Sequence, residues 1–333
     1  MLKNLREKFE DTLLGGATLI ASTVVASAIW FGTVYAVQEP DNLNVAEIQH
    51  ESNGLLGYTT TRTMEAMIEV LQDQPLGYVS NDIAPPFIFL DDRPNWELGV
   101  VRELRNISLA MQDEFSRPTS SKPDPDLLKV QNLLRNDHDQ WIATDFQTRL
   151  NAALKALQSY RTRLMNDNPQ DGQFTSKSIA LTYWLRIVDK ELDGITQKLS
   201  ASRGELQTNK STVGDSGAQV AWADSYVLVA ETPWLEVDDV FWESRGHAWA
   251  LLALFKAIRV DFASTLDDKQ AAPIVDQTIR ELSYALQPVD FPYVFNGSKK
   301  SYGMTPNYSI KLSSDITRAS KGITDLITLL NKG

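Results

Sequence analysis

Residues 181–199 read LTYWLRIVDKELDGITQKL, and their apolar side chains recur in alternating steps of four and three. This spacing places the apolar side chains on one face of an α-helix and is the heptad pattern of helices that pack knobs-into-holes. Residues 146–164, FQTRLNAALKALQSYRTRL, repeat the pattern. The apolar positions of the two segments are Leu181, Leu185, Val188, Leu192, Ile195 and Leu199, and Phe146, Leu150, Ala153, Leu157, Tyr160 and Leu164.

The connection between these two segments contains residues that stop helices. Residues 166–172 read NDNPQDG, and Asn, Asp, Pro and Gly in such a cluster favour a turn. Two heptad faces joined by a short turn are typical of an antiparallel helical hairpin. We therefore expect residues 146–164 to pack along residues 181–199.

Further helices are predicted on both sides of this hairpin. Helical periodicity is present at residues 94–116, 236–268, 270–287 and 312–330. The fold class predicted for the body of the protein is therefore all-α, a multi-helix bundle with coiled-coil-like helical hairpins. Residues 203–217, RGELQTNKSTVGDSG, have no apolar face and mark a possible subdivision of the bundle.

A long uncharged segment lies near the N-terminus. Residues 13–37, LLGGATLIASTVVASAIWFGTVYAV, contain no Asp, Glu, Lys or Arg. At about 1.5 Å per residue, a helix of this length covers about 37 Å, enough for a hydrocarbon core of about 30 Å. Because the run is longer than the roughly 7–15 apolar residues of a signal peptide, we expect an uncleaved transmembrane helix that contacts the lipid bilayer.

Basic residues flank this segment on one side only. Three of them precede it, whereas the first Lys or Arg that follows it is Arg62. Because Lys and Arg stay on the cytoplasmic side, we expect residues 1–12 to be cytoplasmic and residues 38–333 to be a periplasmic domain at a bacterial inner membrane. Twelve residues are too few for an output domain, so a signalling role would need a separate cytoplasmic partner.

Small residues form a stripe along the predicted transmembrane helix. Ala17, Ala21, Ala28 and Gly32 are spaced by four, seven and four residues. Small stripes allow helices to approach closely in lipid. This face predicts possible self-association, although alanine is also common in helices that make no such contact.

The composition excludes several classes of function. The net charge is −11, and there is no cysteine. An acidic chain is a poor ligand for nucleic acid, and a chain without cysteine has neither disulfides nor thiolate metal sites. The sequence also lacks a Gly-rich phosphate loop and a Gly-x-Ser-x-Gly nucleophile motif. No cofactor is expected.

The densest group of polar residues lies at residues 232–247, TPWLEVDDVFWESRGH. On a helix, Asp239, Glu243 and His247 recur every four residues and share one face. They are candidate catalytic residues, because carboxylate and imidazole groups together support acid–base chemistry. Their spacing matches neither di-iron bundles nor zinc proteases, so no metal site is predicted. The candidate binding residues are Trp234, Asp238, Trp242 and Arg245.

A structural interpretation of the same residues is also open. Acidic residues in a first turn stabilise the helix dipole, and Arg245 and His247 can pair with Glu243 or Asp239. The pair Glu243-Ser244 is similar to the Glu-Ser pair of lytic transglycosylases, but the Gly-Leu-Met-Gln and Ala-Tyr-Asn stretches of that family are absent.

Four stretches carry a resemblance to a known family: PNWELGV at 94–100, LSAS at 199–202, residues 232–262, and NGS at 296–298. With them the chain resembles an uncharacterised family of bacterial single-span inner-membrane proteins, labelled as domain of unknown function 2333. The resemblance implies a protein of the bacterial envelope and carries over no catalytic residue.

Two functions are consistent with the sequence. The first is a non-enzymatic, membrane-anchored protein that binds a protein partner or organises an assembly in the envelope. The alternative is an enzyme or ligand-binding domain that acts on a cell-wall or lipid-derived substrate through residues 236–247. The first predicts that the polar side chains of this stretch contact one another, and the second predicts that they converge on a pocket.

Overall fold

The computed structural model describes residues 22–25, 27, 39–74, 77–80, 92–117, 122–137, 145–166, 171–202, 232–233, 236–289 and 308–332. All regular structure within these residues is helical, which confirms the predicted all-α class. The helices after residue 40 are α1 (Val45–Glu51), α2 (Tyr58–Asp73), α3 (Asp92–Ala110, followed by a π-helical turn, Met111–Phe115), α4 (Pro125–Leu134), α5 (Phe146–Leu164), α6 (Ser178–Ser202), α7 (Val237–Asp261), α8 (Ala263–Asp268), α9 (Ala272–Ala285) and α10 (Tyr308–Leu330).

The chain divides into two compact units, residues 1–39 and residues 40–333. In the first unit, residues 22–25 and 27 are helical, and the side chains of Val24 and Val25 are exposed. The stripe of small residues predicted for this segment lies outside the described residues. Among the helices that the structure describes, none has both the length and the apolar character needed to cross a membrane.

The predicted apolar faces are confirmed. Every heptad position of residues 146–164 and 181–199 is buried. The apolar face of α3 and that of α10 are buried in the same way. The buried positions of these last two faces are Trp96, Val100, Leu104, Ile107, Met111 and Phe115, and Leu312, Ile316, Ala319, Ile323, Leu326 and Leu330.

The predicted pairing of α5 with α6 is wrong. In the described residues, α5 packs on α4 and α2, whereas α6 packs on α10 and α7. The connection between α5 and α6 explains the difference. The Phe174 ring lies edge-on to Phe115 and Phe262, and Thr175 N–H donates to the Phe115 carbonyl over 2.7 Å. These contacts hold the connection at the end of α3 and start α6 on another side of the bundle.

Among the described helices, α9–α10 and α4–α5 are antiparallel hairpins whose helices pack together. In the first, Lys311 Nζ donates to the Tyr284 carbonyl at one end, and Gly322 lies against Thr278 further along, so the helices run in opposite directions. In the second, Asp124 at the start of α4 accepts from Arg163 at the end of α5. Helical hairpins are therefore present, but between other neighbours than the heptad pattern predicts.

Helix α7 is the centre of the second unit. Its residues 241–255 are buried on all sides, and α2, α3, α6 and α9 pack around it. The predicted subdivision at residues 203–217 lies outside the described residues. The described residues on either side of it are adjacent, since Thr232 N–H donates to the Ala201 carbonyl over 3.4 Å. Thr232, which precedes α7, therefore lies at the end of α6.

Candidate functional site at the crossing of α3 and α7

Helices α3 and α7 touch through their backbones at two glycines. A Cβ atom on Gly99 would lie 2.7 Å from the His247 backbone nitrogen and still closer to the Glu243 carbonyl. A Cβ atom on Gly246 would collide with the Trp96 carbonyl. Any side chain at either position would separate the helices, so glycine sets the distance between α3 and α7.

Polar side chains pair across this crossing at regular intervals. Asn95 Nδ2 donates to Asp239 Oδ1 over 2.7 Å, and two turns later His247 Nδ1 lies 2.7 Å from Glu103 Oε1. In each helix these residues belong to one row with a step of four, and such rows interlock when helices pack ridges-into-grooves. The face predicted to carry Asp239, Glu243 and His247 is therefore the face of α7 that packs on α3.

His247 is fully buried, as is its partner Glu103. His247 Nδ1 lies 2.7 Å from Glu103 Oε1, and in the tautomer that has its proton on Nδ1 this N–H donates to the carboxylate. His247 Nε2 has no hydrogen-bond partner among the described residues. It lies 3.7 Å from Glu191 Oε1 on α6 and 4.0 Å from Glu243 Oε1. The ring thus stands where three helices meet.

Glu243 is held by two cations from two other helices. Lys198 Nζ on α6 lies 2.9 and 2.8 Å from its two carboxylate oxygens, and Arg102 Nη1 on α3 lies 2.6 Å from Oε1. Burial disfavours the charged carboxylate, but the Lys198 hydrogen bond and charge, together with Arg102, outweigh it and lower the pKa of Glu243. Glu243 is therefore an ionised side chain that joins α3, α6 and α7.

Arg245 points to the end of a fourth helix. Its Nη1 donates to the carbonyls of Ala285 and Gln287 at the C-terminus of α9, over 3.2 and 3.1 Å. A cation in this position satisfies carbonyl groups that have no partner within the helix. The guanidinium also lies 5.7 Å from the centroid of the Phe241 ring. Arg245 thus joins α7 to α9.

The remaining candidate binding residues have separate surroundings. Trp242 is buried, lies edge-on to Phe241 and has no hydrogen-bond partner for its indole nitrogen among the described residues. Asp238 is half-buried in the first turn of α7. Trp234 lies outside the described residues. The part of the chain that the structure describes contains no group of three or more ligating side chains arranged to hold a metal ion.

The sequence interpretation missed the partners on α3 and α6. Asn95, Arg102, Glu103 and Lys198 are distant in sequence from residues 236–247, and no motif connects them. One signal was present: Gly99 interrupts an otherwise regular helical segment four residues after Asn95 and four before Glu103. A glycine inside a helix usually has a packing reason, and here the reason is the crossing.

A second buried carboxylate holds the segment that precedes α3. Glu97 is fully buried and accepts from the backbone N–H groups of Val79 and Ser80, over 3.1 and 2.9 Å, and from the Ser80 hydroxyl over 2.6 Å. Arg93 Nε donates to it over 3.2 Å. Burial raises the pKa of Glu97, and these donors oppose the rise. Glu97 fixes residues 79 and 80 on the first turns of α3.

Residues that follow the predicted membrane segment are also attached to α7. Trp249 Nε1 donates to the Asp41 carbonyl over 3.2 Å, and the Trp249 ring lies 5.2 Å from the ring of Trp96. One turn further along α7, a small apolar cluster continues the contact. Its members are Leu43, Val45, Ala253 and Ala257. The start of the second unit is thus held on the same helix that forms the crossing.

Comparison with known proteins gives a family and no function. No curated protein and no solved structure matches the chain. A family model, described as an uncharacterized protein conserved in bacteria, DUF2333, matches residues 7–333 and confirms the resemblance indicated by the four sequence stretches. Since this match covers nearly the whole chain, the protein belongs to the bacterial family DUF2333.

Proposed function

We propose that the protein is anchored in the bacterial inner membrane by residues 13–37 and acts through its periplasmic helical body by binding protein partners. In this proposal it organises an assembly in the cell envelope and catalyses no reaction. The observation that carries the proposal is the internal pairing of the residues around the helix crossing.

The polar side chains that could have performed chemistry bind the helices of the body to one another. Glu243 pairs with Lys198 and Arg102, Asp239 accepts from Asn95, and Arg245 caps α9. A general acid for glycan cleavage needs a raised pKa, whereas that of Glu243 is lowered. These contacts support a rigid scaffold over a hydrolase that uses Glu243 as its acid.

The anchor is supported by the sequence and by the residues described within it. Residues 13–37 are uncharged, basic residues precede them, and Val24 and Val25 are apolar helical residues with exposed side chains. A reporter enzyme that is active only in the cytoplasm, fused after Gly333, should be inactive. An active fusion would contradict the proposed orientation.

The partner can be sought with a photo-crosslinking amino acid at exposed apolar positions of the body. Ile179, Tyr284 and Ile310 are 70%, 51% and 45% exposed. In bacterial membranes, we expect at least one of these positions to give a discrete adduct with an envelope protein. The same adduct should form in the Glu243→Gln protein. Loss of the adduct from a folded Glu243→Gln protein, or no adduct at any position, would contradict the proposal.

Self-association through the membrane helix is a separate part of the proposal. The stripe of Ala17, Ala21, Ala28 and Gly32 would form the contact between two copies. Replacement of Ala21 and Ala28 by leucine should reduce cross-linking between copies, while leucine at the other faces of the same helix should leave it unchanged. Equal cross-linking in both variants would show that this stripe is not the contact between two copies.

One observation favours the alternative, an enzyme or ligand-binding domain. A buried carboxylate that orients an imidazole through Nδ1 and leaves Nε2 unbonded is an arrangement that general-base histidines use, and Glu103 and His247 have it. This function predicts that a His247→Gln protein keeps its fold but loses turnover of a peptidoglycan or phospholipid substrate. Absence of turnover by the unaltered protein would leave the scaffold function.

A further inference from the structure

His247 Nε2 lies among charged groups from three helices. Arg102 and Glu103 come from α3, Glu191 and Lys198 from α6, and Glu243 from α7 itself. In a neutral imidazole with its proton on Nδ1, Nε2 carries a lone pair that faces the oxygens of two carboxylates. Neither carboxylate can donate a hydrogen bond to it while ionised, so the nitrogen is unsatisfied in a fully buried position.

We propose that His247 takes up a second proton from solvent at Nε2 and that this N–H then donates to Glu191, which adds a link between α6 and α7. The inference does not rest on the proposed scaffold function, and the protonated Nε2 would be blocked as the base that the alternative function requires. Protonation would convert a buried imidazole with one hydrogen bond into an imidazolium with two, each to a carboxylate on a different helix.

The charge around the ring supports this step. Three carboxylates and two cations surround His247, so a neutral imidazole leaves one excess negative charge in the cluster and an imidazolium neutralises it. A charge in a buried position is costly unless it is compensated, and here the compensating groups are already in place.

The exposure of Glu191 and its distance from cations indicate that it is the acceptor of the new hydrogen bond. Glu243 is held by Lys198 and Arg102 at 2.6–2.9 Å, whereas the nearest atom of Arg102 lies 3.7 Å from Glu191. Glu191 is also 31% exposed in its side chain and can rotate toward the ring. A movement of less than 1 Å brings the Nε2–Oε1 distance from 3.7 Å to hydrogen-bond length.

The protonation state can be read directly from the full-length protein labelled with ¹⁵N-histidine. The chain has three histidines, so His50→Gln and His138→Gln variants assign the His247 signals by elimination. Long-range ¹H–¹⁵N correlation should show one protonated nitrogen, Nδ1, at pH 8 and two protonated nitrogens at pH 5.5. An Nε2 that stays unprotonated at pH 5.5 in the folded protein would overturn the proposal, as would unfolding at that pH.

The role of Glu191 is tested by the pH dependence of unfolding. We compare the folding equilibrium constant of the unaltered protein with that of a Glu191→Gln variant. The ratio of the two constants should rise about tenfold between pH 8 and pH 5.5, because the variant lacks a hydrogen bond to a charged group. The matched control is a Glu47→Gln variant, which changes an exposed glutamate on α1, and the unaltered protein should show no such gain over it. Equal pH dependence in the Glu191→Gln and unaltered proteins would overturn the assignment of the acceptor.

Discussion

Glu103 and His247 are 144 positions apart in the chain, and their carboxylate and imidazole groups are 2.7 Å apart in the fully buried crossing of α3 and α7. Asn95 and Asp239 pair with the same sequence separation. The two pairs are two turns apart on each helix, and at the turn between them Gly99 lies against the Glu243 carbonyl. The polar row of α7 is therefore a packing surface, and its partners come from α3 and α6.

The backbone contact at the crossing predicts the effect of adding one methyl group. Gly99→Ala and Gly246→Ala should each lower the free energy of unfolding by about 1–3 kcal/mol or more, because Cβ would strike backbone atoms that cannot move without separating the helices. Gly194→Ala in α6 is the matched control, since a Cβ there meets nothing within 4 Å and should stabilise the protein by about 0.5–1 kcal/mol. Urea unfolding of the three variants measures these changes, and equal effects at all three positions would contradict the crossing.

The ion pairs of Glu243 predict a defined pH dependence. Because its pKa is lowered in the folded state, its contribution to stability is present above the unfolded-state value of about 4.3 and is lost as the pH falls through the folded-state value. The unaltered protein should be more stable than Glu243→Gln by about 1–2 kcal/mol at pH 7, and the difference should shrink below about pH 4.3. Urea unfolding at pH 7 and pH 3.5 measures it. A difference that is constant or grows on acidification would mean that the pairs do not stabilise the fold.

The attachment of Asp41 to α7 can be tested with two buried tryptophans. Trp249→Phe removes an indole N–H that donates to the Asp41 carbonyl, whereas Trp184→Phe removes one that has no partner among the described residues. Both substitutions remove the same volume, and both rings pack against another aromatic ring, so the loss of packing contacts is similar. Trp249→Phe should cost about 1 kcal/mol more than Trp184→Phe, and it should increase protease cleavage within residues 39–44. Equal costs and unchanged cleavage would show that this hydrogen bond does not hold the segment.

The helices and their buried faces were predictable from sequence, because an apolar face with a 3.6-residue period is a local property. The apolar positions from Leu181 to Leu199 and from Leu312 to Leu330 are buried as their spacing predicts. Which faces meet is not local. The heptad pattern suggested that α5 and α6 pair, but contacts of Phe174 and Thr175 with the end of α3 direct α6 to α10 and α7.

The candidate site was predictable in part for the same reason. The common face of Asp239, Glu243 and His247 follows from helix geometry alone. Its role depends on Glu103 and Lys198, which no spacing within residues 232–247 can indicate. Gly99 and Gly246 were the sequence signal of a close crossing, but a pair of glycines 147 residues apart identifies a contact only after the fold is known.

The polar residues of 236–247 bind the helices of their own body to one another. A double-mutant cycle on Glu103→Gln and His247→Gln tests this pairing, with urea unfolding of the unaltered protein, the two single variants and the double variant. We predict that each single variant is destabilised and that the two residues are coupled by about 1–3 kcal/mol. Single variants as stable as the unaltered protein, with a coupling free energy near zero, would contradict the claim and return His247 to the candidates for chemistry.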